Sequence, residues 1–152
     1  MAWDGRKGEP TMLNLPKRIY IKEVGPRDGL QIEKTFVPTA TKIEMIDRLS
    51  QCGFADIQSA AFVHPKAVPN MADAEEVLAG ITRQPGVEYS ALVPNLRGFQ
   101  RAAAAGVKRV ELTLSATDSH NINNMNMTTE QSIKMIEQCL NSGLDVDLIV
   151  GL

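Results

Sequence analysis

Residues 20–31 read YIKEVGPRDGLQ, Tyr20 to Gln31, and this stretch decides the fold. It opens as an apolar, β-branched run and breaks at Gly25-Pro26, the pattern of a buried strand reaching the top of a sheet. Arg27 and Asp28 follow at once. Two charges at such a point are costly if buried and idle, so a role is expected for them. The plain alternative is an ion pair in a strand-to-helix loop, which on a surface contributes little.

Outward from this stretch the chain alternates strand and helix. Strands are expected at Ile19–Val24, Ala55–Ala60, Glu88–Val93, Arg109–Leu114 and Asp145–Val150. Thr39–Cys52 shows helical spacing, with Ile43, Ile46 and Leu49 on one face and Gly53 at the stop. Asp73–Arg83 opens with Asp73 and Glu76 at capping-box spacing and turns Val77, Leu78 and Ile81 inward. Asn95 caps a shorter helix running to Ala105 and closed by Gly106. Thr128 with Gln131 opens another, carrying Ile133, Ile136 and Leu140 and ending at Gly143. Ser115–Asn126, SATDSHNINNMN, reads as a loop from its density of Asn, Asp and Ser. Met125, Met127 and Met135 read as packing.

Repeated βα units with short αβ turns build either a doubly wound sheet or a (β/α)8 barrel. No Gly-rich phosphate loop follows any strand, whereas polar residues recur after strand upon strand: Arg27-Asp28, then Gln58 and His64, then Asn95, then Asp118 to Asn126. Many strand ends feeding one mouth is the barrel arrangement. The expected class is therefore α/β, a (β/α)8 TIM-barrel type. About the first five βα units are present, against the roughly eight strands and 250 residues of a closed barrel. Residues 1–16 are expected to form a loose N-terminal arm, and 17–152 the N-terminal portion of a barrel catalytic domain. Ile21, Ile57, Leu92, Leu112 and Leu148 are the expected barrel interior. Two open sheet edges call for a homo-oligomer or another partner.

Composition narrows the function classes. The chain has 152 residues, 43% hydrophobic and 22% charged, with a net charge of -2. That balance suits an ordinary globular domain and gives no basis for electrostatic binding to nucleic acid. Cys52 and Cys139 lie in no metal-ligand or disulfide pattern. No run is long and apolar enough to span a membrane, and the first residues lack the apolar centre of a signal peptide. A cytoplasmic setting is the expectation.

Three segments carry a resemblance. EVGPRDGLQ at 23–31, FVHPKAVPNMAD at 62–73 and VPNLRGFQRAAAAGV at 93–107 resemble, in order and spacing, the 3-hydroxy-3-methylglutaryl-CoA lyase family. That family belongs to the metal-dependent aldol and Claisen enzymes on (β/α)8 barrels. The resemblance implies cleavage of hydroxymethylglutaryl-CoA to acetoacetate and acetyl-CoA, with Mg2+ or Mn2+ as cofactor and an acyl-CoA as substrate. It implies Asp28 as a metal ligand, since a hard cation takes oxygen donors. It implies Arg27 as a catalytic residue that stabilises enolate charge. Gln31 lies in the same signature and would orient the pair. Lys34 matches a basic position near the acyl-CoA site, the alternative being a solvated lysine. His64, Asn124 and Asn126 are further candidates for substrate contact, the alternative for each being a loop residue.

Departures from the family pattern accompany it. Where the family usually has a glutamate after the second strand, this chain has Gln58, which keeps the reach of that side chain without its charge and so would hold Arg27 less firmly. Where a serine is expected before Phe62 stands Ala61. The family's His-x-His ligands are absent, His64 and His120 being the two histidines. The expectation is a truncated part of such a lyase, inactive by itself. A sibling acyl-CoA enzyme on the same scaffold and a non-catalytic half-barrel that assembles with a partner are the alternatives.

Overall fold

Strands and helices alternate through residues 16–151, the part of the chain that the computed structural model describes, except that two helices in succession separate the last two strands. The strands are β1 (Lys22–Glu23), β2 (Asp56–Ala61), β3 (Glu88–Leu92), β4 (Arg109–Thr113) and β5 (Asp147–Gly151). The helices are α1 (Thr39–Leu49), α2 (Ala74–Gly80), α3 (Leu96–Ala104), α4 (Asp118–Met125) and α5 (Thr129–Leu140). All strand pairs are parallel and follow chain order in one sheet. Parallel strands paired in chain order are the βα arrangement found in a (β/α)8 barrel. Of the expected N-terminal arm, residues 1–15 lie outside the described residues.

A strand presents alternate side chains to opposite faces. Here the helices take the apolar alternates. Ile57, Ala60, Tyr89, Ala91, Val93, Val110 and Leu112 are buried against Ile46, Val77, Leu78, Phe99, Ala102, Met135 and Ile136. Each large aliphatic side chain so buried contributes about 1.5–3 kcal/mol. The opposite face receives the polar alternates, and the register aligns Lys22 with Asp56, and Gln58 with Ser90. The expected interior is therefore inverted at Ile57 and Leu112, which face the helices, and at Leu148, which packs against the same core. Leu92 does line the inner mouth, and Ile21 precedes the two paired residues of β1 and is 59% exposed. One set of alternates per strand is all that period two allows, and the helix layer claimed it.

Two local features aim the inner face. The register of β2 slips between Gln58 and Ala60, so Ala60 pairs with Ala91 on the helix side and Ala61 with Leu92. Bulges of this kind re-aim side chains near sites. Gly98 in α3 sits where an added Cβ would lie 2.7 Å from the Phe62 carbonyl oxygen, so only glycine lets α3 close on the end of β2.

Caps follow the sequence in part. Thr128 and Gln131 form the full reciprocal capping box, and the Asn95 side chain accepts from the Gly98 N–H at 2.9 Å. Asp73 does not cap α2: its carboxylate accepts from Thr39 Oγ1 at 2.7 Å and from the buried Lys42 Nζ at 2.6 Å. A buried ammonium needs its counter-charge more than a helix end needs its cap. In α5 the buried face is Ser132, Met135, Ile136 and Cys139, while Ile133 and Leu140 are exposed. Ser132 is drawn inward because its hydroxyl accepts from Asn121 Nδ2 at 2.7 Å.

Residues 118–125 were expected as loop and are helix. Thr117 caps α4 from the His120 N–H, and Asn126 ends it in the left-handed region at φ 53°. Asparagine tolerates that conformation better than most residues. The low helix propensity of this Asn-rich segment is overridden by Asn121, fully buried, which accepts from the Ser115 N–H at 3.0 Å and donates to the Met127 carbonyl at 2.8 Å. Asn121→Ala is expected to destabilise the fold by roughly 2–4 kcal/mol, because several buried partners lose their bonds. The exposed Asn123→Ala change should stay within about 0.5 kcal/mol. Urea unfolding of the two variants measures the contrast.

Candidate active site

Of the strand expected over Ile19–Val24 only Lys22–Glu23 is paired; it stops before Gly25-Pro26 as expected, and Gly25–Gly29 then winds into one π-helical turn. The N–H groups of Arg27 and Asp28 both donate to the Val24 carbonyl, at 3.0 and 2.7 Å. Such single turns recur at functional sites. The turn puts successive residues to different uses. Pro26 is buried, the Arg27 side chain is 16% exposed and the Asp28 side chain 61% exposed.

Arg27 is held on two sides. Its Nε donates to Gln58 Oε1, and its Nη1 donates to Asp28 Oδ1 at 2.5 Å. Among the described residues, Nη2 makes no hydrogen bond. Burial pulls the Arg27 guanidinium below its ordinary value, and the Asp28 carboxylate opposes that shift. An arginine stays charged at neutral pH regardless. The result is an oriented cation with one nitrogen uncommitted.

These residues stand at the C-terminal ends of the strands, where a cleft of about 950 Å³ opens. Arg27, Asp28, Gln31, His64, Asn124 and Asn126 all line it, so six of the candidates from sequence meet there. Gln58 lies beneath them, fully buried, with Arg27 on its oxygen. Lys34 is exposed on the loop before α1 and does not line the cleft. His64 accepts from the Lys66 N–H on Nδ1 at 3.2 Å, so one ring nitrogen serves its own loop while the ring faces the mouth. Met125, expected as packing, lines the cleft; Met127 and Met135 do pack against the core.

Sequence reading missed Glu111, Thr113 and Asn123. Thr113 and Asn123 line the cleft, and Glu111 Oε2 accepts from Gln58 Nε2 at 2.7 Å. The signal for Glu111 was available: a carboxylate between Val110 and Leu112 in an otherwise apolar strand must face the other way. Asn95 was seen as a cap and also lines the mouth.

A divalent cation fits this mouth through one donor. Among the described residues, Asp28 is the one carboxylate lining the cleft, and no group of three His, Cys, Asp or Glu side chains is able to hold an ion. With about six oxygen ligands preferred by such ions, the donors present do not make a site by themselves.

A parallel βα array with charged and amide side chains gathered at the C-terminal strand ends has the layout of a barrel-type active site. The chain belongs to the HMGL-like family, whose model matches residues 18–144. It is 47% identical over 127 residues to the mitochondrial hydroxymethylglutaryl-CoA lyase of Rattus norvegicus, covering 84% of this chain and 39% of that protein. It is 42% identical over 149 residues to the cytoplasmic 3-hydroxy-3-methylglutaryl-CoA lyase of Mus musculus, covering 98% of this chain and 43% of that one. The hydroxymethylglutaryl-CoA lyase structure from Pseudomonas aeruginosa superposes with a TM-score of 0.85 at 41% identity, over 91% of this chain and 47% of that one. An HMG-CoA lyase from Acinetobacter baumannii, solved in complex with coenzyme A and 3-methylmalate, gives a TM-score of 0.83 at 44% identity over 86% and 43% of the two chains. The chain thus spans less than half the length of these relatives.

Gln58→Leu keeps volume and removes both amide contacts. It is expected to destabilise the fold by roughly 2–4 kcal/mol, since Arg27 Nε and Glu111 Oε2 lose partners in a water-poor site. Gln31→Leu, at the exposed rim, should change stability by less than about 0.5 kcal/mol in the same denaturant titration.

Proposed function

We propose that this chain supplies the first five βα units of a lyase that cleaves 3-hydroxy-3-methylglutaryl-CoA to acetoacetate and acetyl-CoA. The observation that carries the reading is the Arg27–Asp28 pair, turned into the strand-end mouth with Arg27 braced by Gln58. In this cleavage the C3 hydroxyl loses its proton and the C2–C3 bond breaks. The electron pair moves onto the acetyl thioester as an enolate, which then takes up a proton. A fixed guanidinium facing the mouth suits the enolate oxygen, where negative charge develops. Arg27 needs little reorganisation to act there, because Gln58 and Asp28 already fix two of its nitrogens.

Asp28 is the proposed metal ligand, and Gln31 the residue proposed to orient the Arg27–Asp28 pair toward substrate. His64, Asn124 and Asn126 are proposed to contact the acyl-CoA, and Lys34 to do so from its exposed loop. A bound Mg2+ or Mn2+ would supply Lewis-acid polarisation of substrate oxygens, its further ligands coming from outside the described residues. Residues 17–152 are proposed as barrel and 1–16 as an arm. The proposed setting is cytoplasmic, as for the mouse relative, although the rat relative is mitochondrial. A homo-oligomer is the proposed working state. Gln58 and Ala61 favour a second reading, a sibling enzyme acting on another acyl-CoA through the same Arg27 chemistry.

The test is a chimera in which residues 17–152 replace the corresponding units of the Pseudomonas aeruginosa lyase. It is expected to cleave hydroxymethylglutaryl-CoA with Mn2+. A folded chimera without cleavage overturns the proposal. Within it, Arg27→Lys should lower kcat far more than it raises KM, because lysine keeps the charge and loses the planar fork. Asp28→Asn should abolish Mn2+-supported turnover and weaken Mn2+ binding measured by calorimetry.

A further inference from the structure

Behind Gln58, whose hold on Arg27 the lyase reading already uses, runs a line of polar contacts that it does not use. Gln58 is fully buried and bonded at both ends of its amide: Oε1 accepts from Arg27 Nε, and Nε2 donates to Glu111 Oε2 at 2.7 Å. The other Glu111 oxygen meets the Lys22 ammonium. Lys22 also pairs with Asp56 Oδ2 at 3.2 Å, and Asp56 Oδ1 accepts from Ser90 Oγ at 2.6 Å. The line crosses β1, β2, β3 and β4 on the inner face of the sheet.

We infer that Glu111 is a positioning residue for Arg27, acting through Gln58. An amide can sit either way round, and a glutamine by itself does not decide which end meets the guanidinium. Glu111 decides it. Reversal would set the amide NH2 against the Arg27 donors and the amide oxygen against a carboxylate, replacing two attractive contacts with two repulsive ones. With no exposed surface, Gln58 has no water to take up either role. The carboxylate also polarises the amide, strengthening its oxygen as an acceptor. Lys22 fixes Glu111 in turn. The negative charge absent from position 58 thus stands one side chain further back, on the next strand but one.

How Arg27 is held does not depend on the lyase reading; what the held Arg27 does rests on it. The test is therefore spectroscopic. In the nitrogen-15 spectrum of the full chain, the Arg27 Nε–Hε resonance, assigned by its disappearance in Arg27→Lys, should exchange slowly with solvent. Glu111→Ala should speed that exchange about tenfold or more, the effect of losing one charge-linked bond, while the Ala91 amide in the core holds its protection. The carboxylate swap, Gln58→Glu with Glu111→Gln, gives Arg27 a carboxylate and that carboxylate an amide donor, and should restore slow exchange. Unchanged Arg27 exchange in Glu111→Ala overturns the inference. Should Glu111→Ala loosen Ala91 as well, the swap decides: slow Arg27 exchange supports the inference, and fast exchange with Ala91 still protected overturns it. A chimera that fails to cleave substrate while Arg27 stays protected faults the lyase reading alone.

Discussion

The structure depends on a limit of supply: each strand has two faces, and the helices consume the apolar one. Ile57, Ala91, Val110 and Leu112 go to the helix layer, which buries them completely. Their neighbours in sequence, Gln58, Ser90 and Glu111, are thereby committed to the other side. In a typical barrel that inner space is filled by branched apolar side chains. Here it holds linked charges and amides, which must satisfy one another. The bracing of Arg27 grows out of that requirement.

Much of this was legible in the sequence. Gly25-Pro26 ends the first strand and Arg27-Asp28 stands at the mouth, because Gly and Pro punctuate the chain through backbone sterics alone. The Thr128–Gln131 box and the Asn95 cap were legible for the same reason, since their partners lie within one turn. What was not legible depends on distant partners. Asp73 has capping-box spacing to Glu76 but is claimed by Lys42, thirty-one positions away. The Asn-rich 118–125 segment has a loop's composition and a helix's structure, because Asn121 finds Ser115, Met127 and Ser132 around it. The inner face was misassigned through an assumption about barrels; the alternation itself was plain in Val110-Glu111-Leu112.

The departures from the family pattern read differently in the structure. From sequence, Gln58 is a glutamate that lost its charge. In the fold it is an amide between a guanidinium and a carboxylate, a place where only a group that both accepts and donates fits. Glutamine at 58 and glutamate at 111 explain each other. Ala61 has no such counterpart; the slip in β2 pairs it with Leu92, and its replacement of a serine has no structural explanation.

The central proposal is that the strand-end mouth around Arg27 is an acyl-CoA site. Titrating the nitrogen-15-labelled chain with 3-hydroxy-3-methylglutaryl-CoA and mapping the shifted resonances tests it directly. The account predicts that shifts concentrate at Arg27, Asp28, His64, Asn95 and Asn124, the rim of the 950 Å³ cleft. A second cleft of about 530 Å³ lies against Cys52–Ala55 and Gly86, before β2 and β3 begin. Shifts gathered there, with the Arg27 rim silent, would contradict the account.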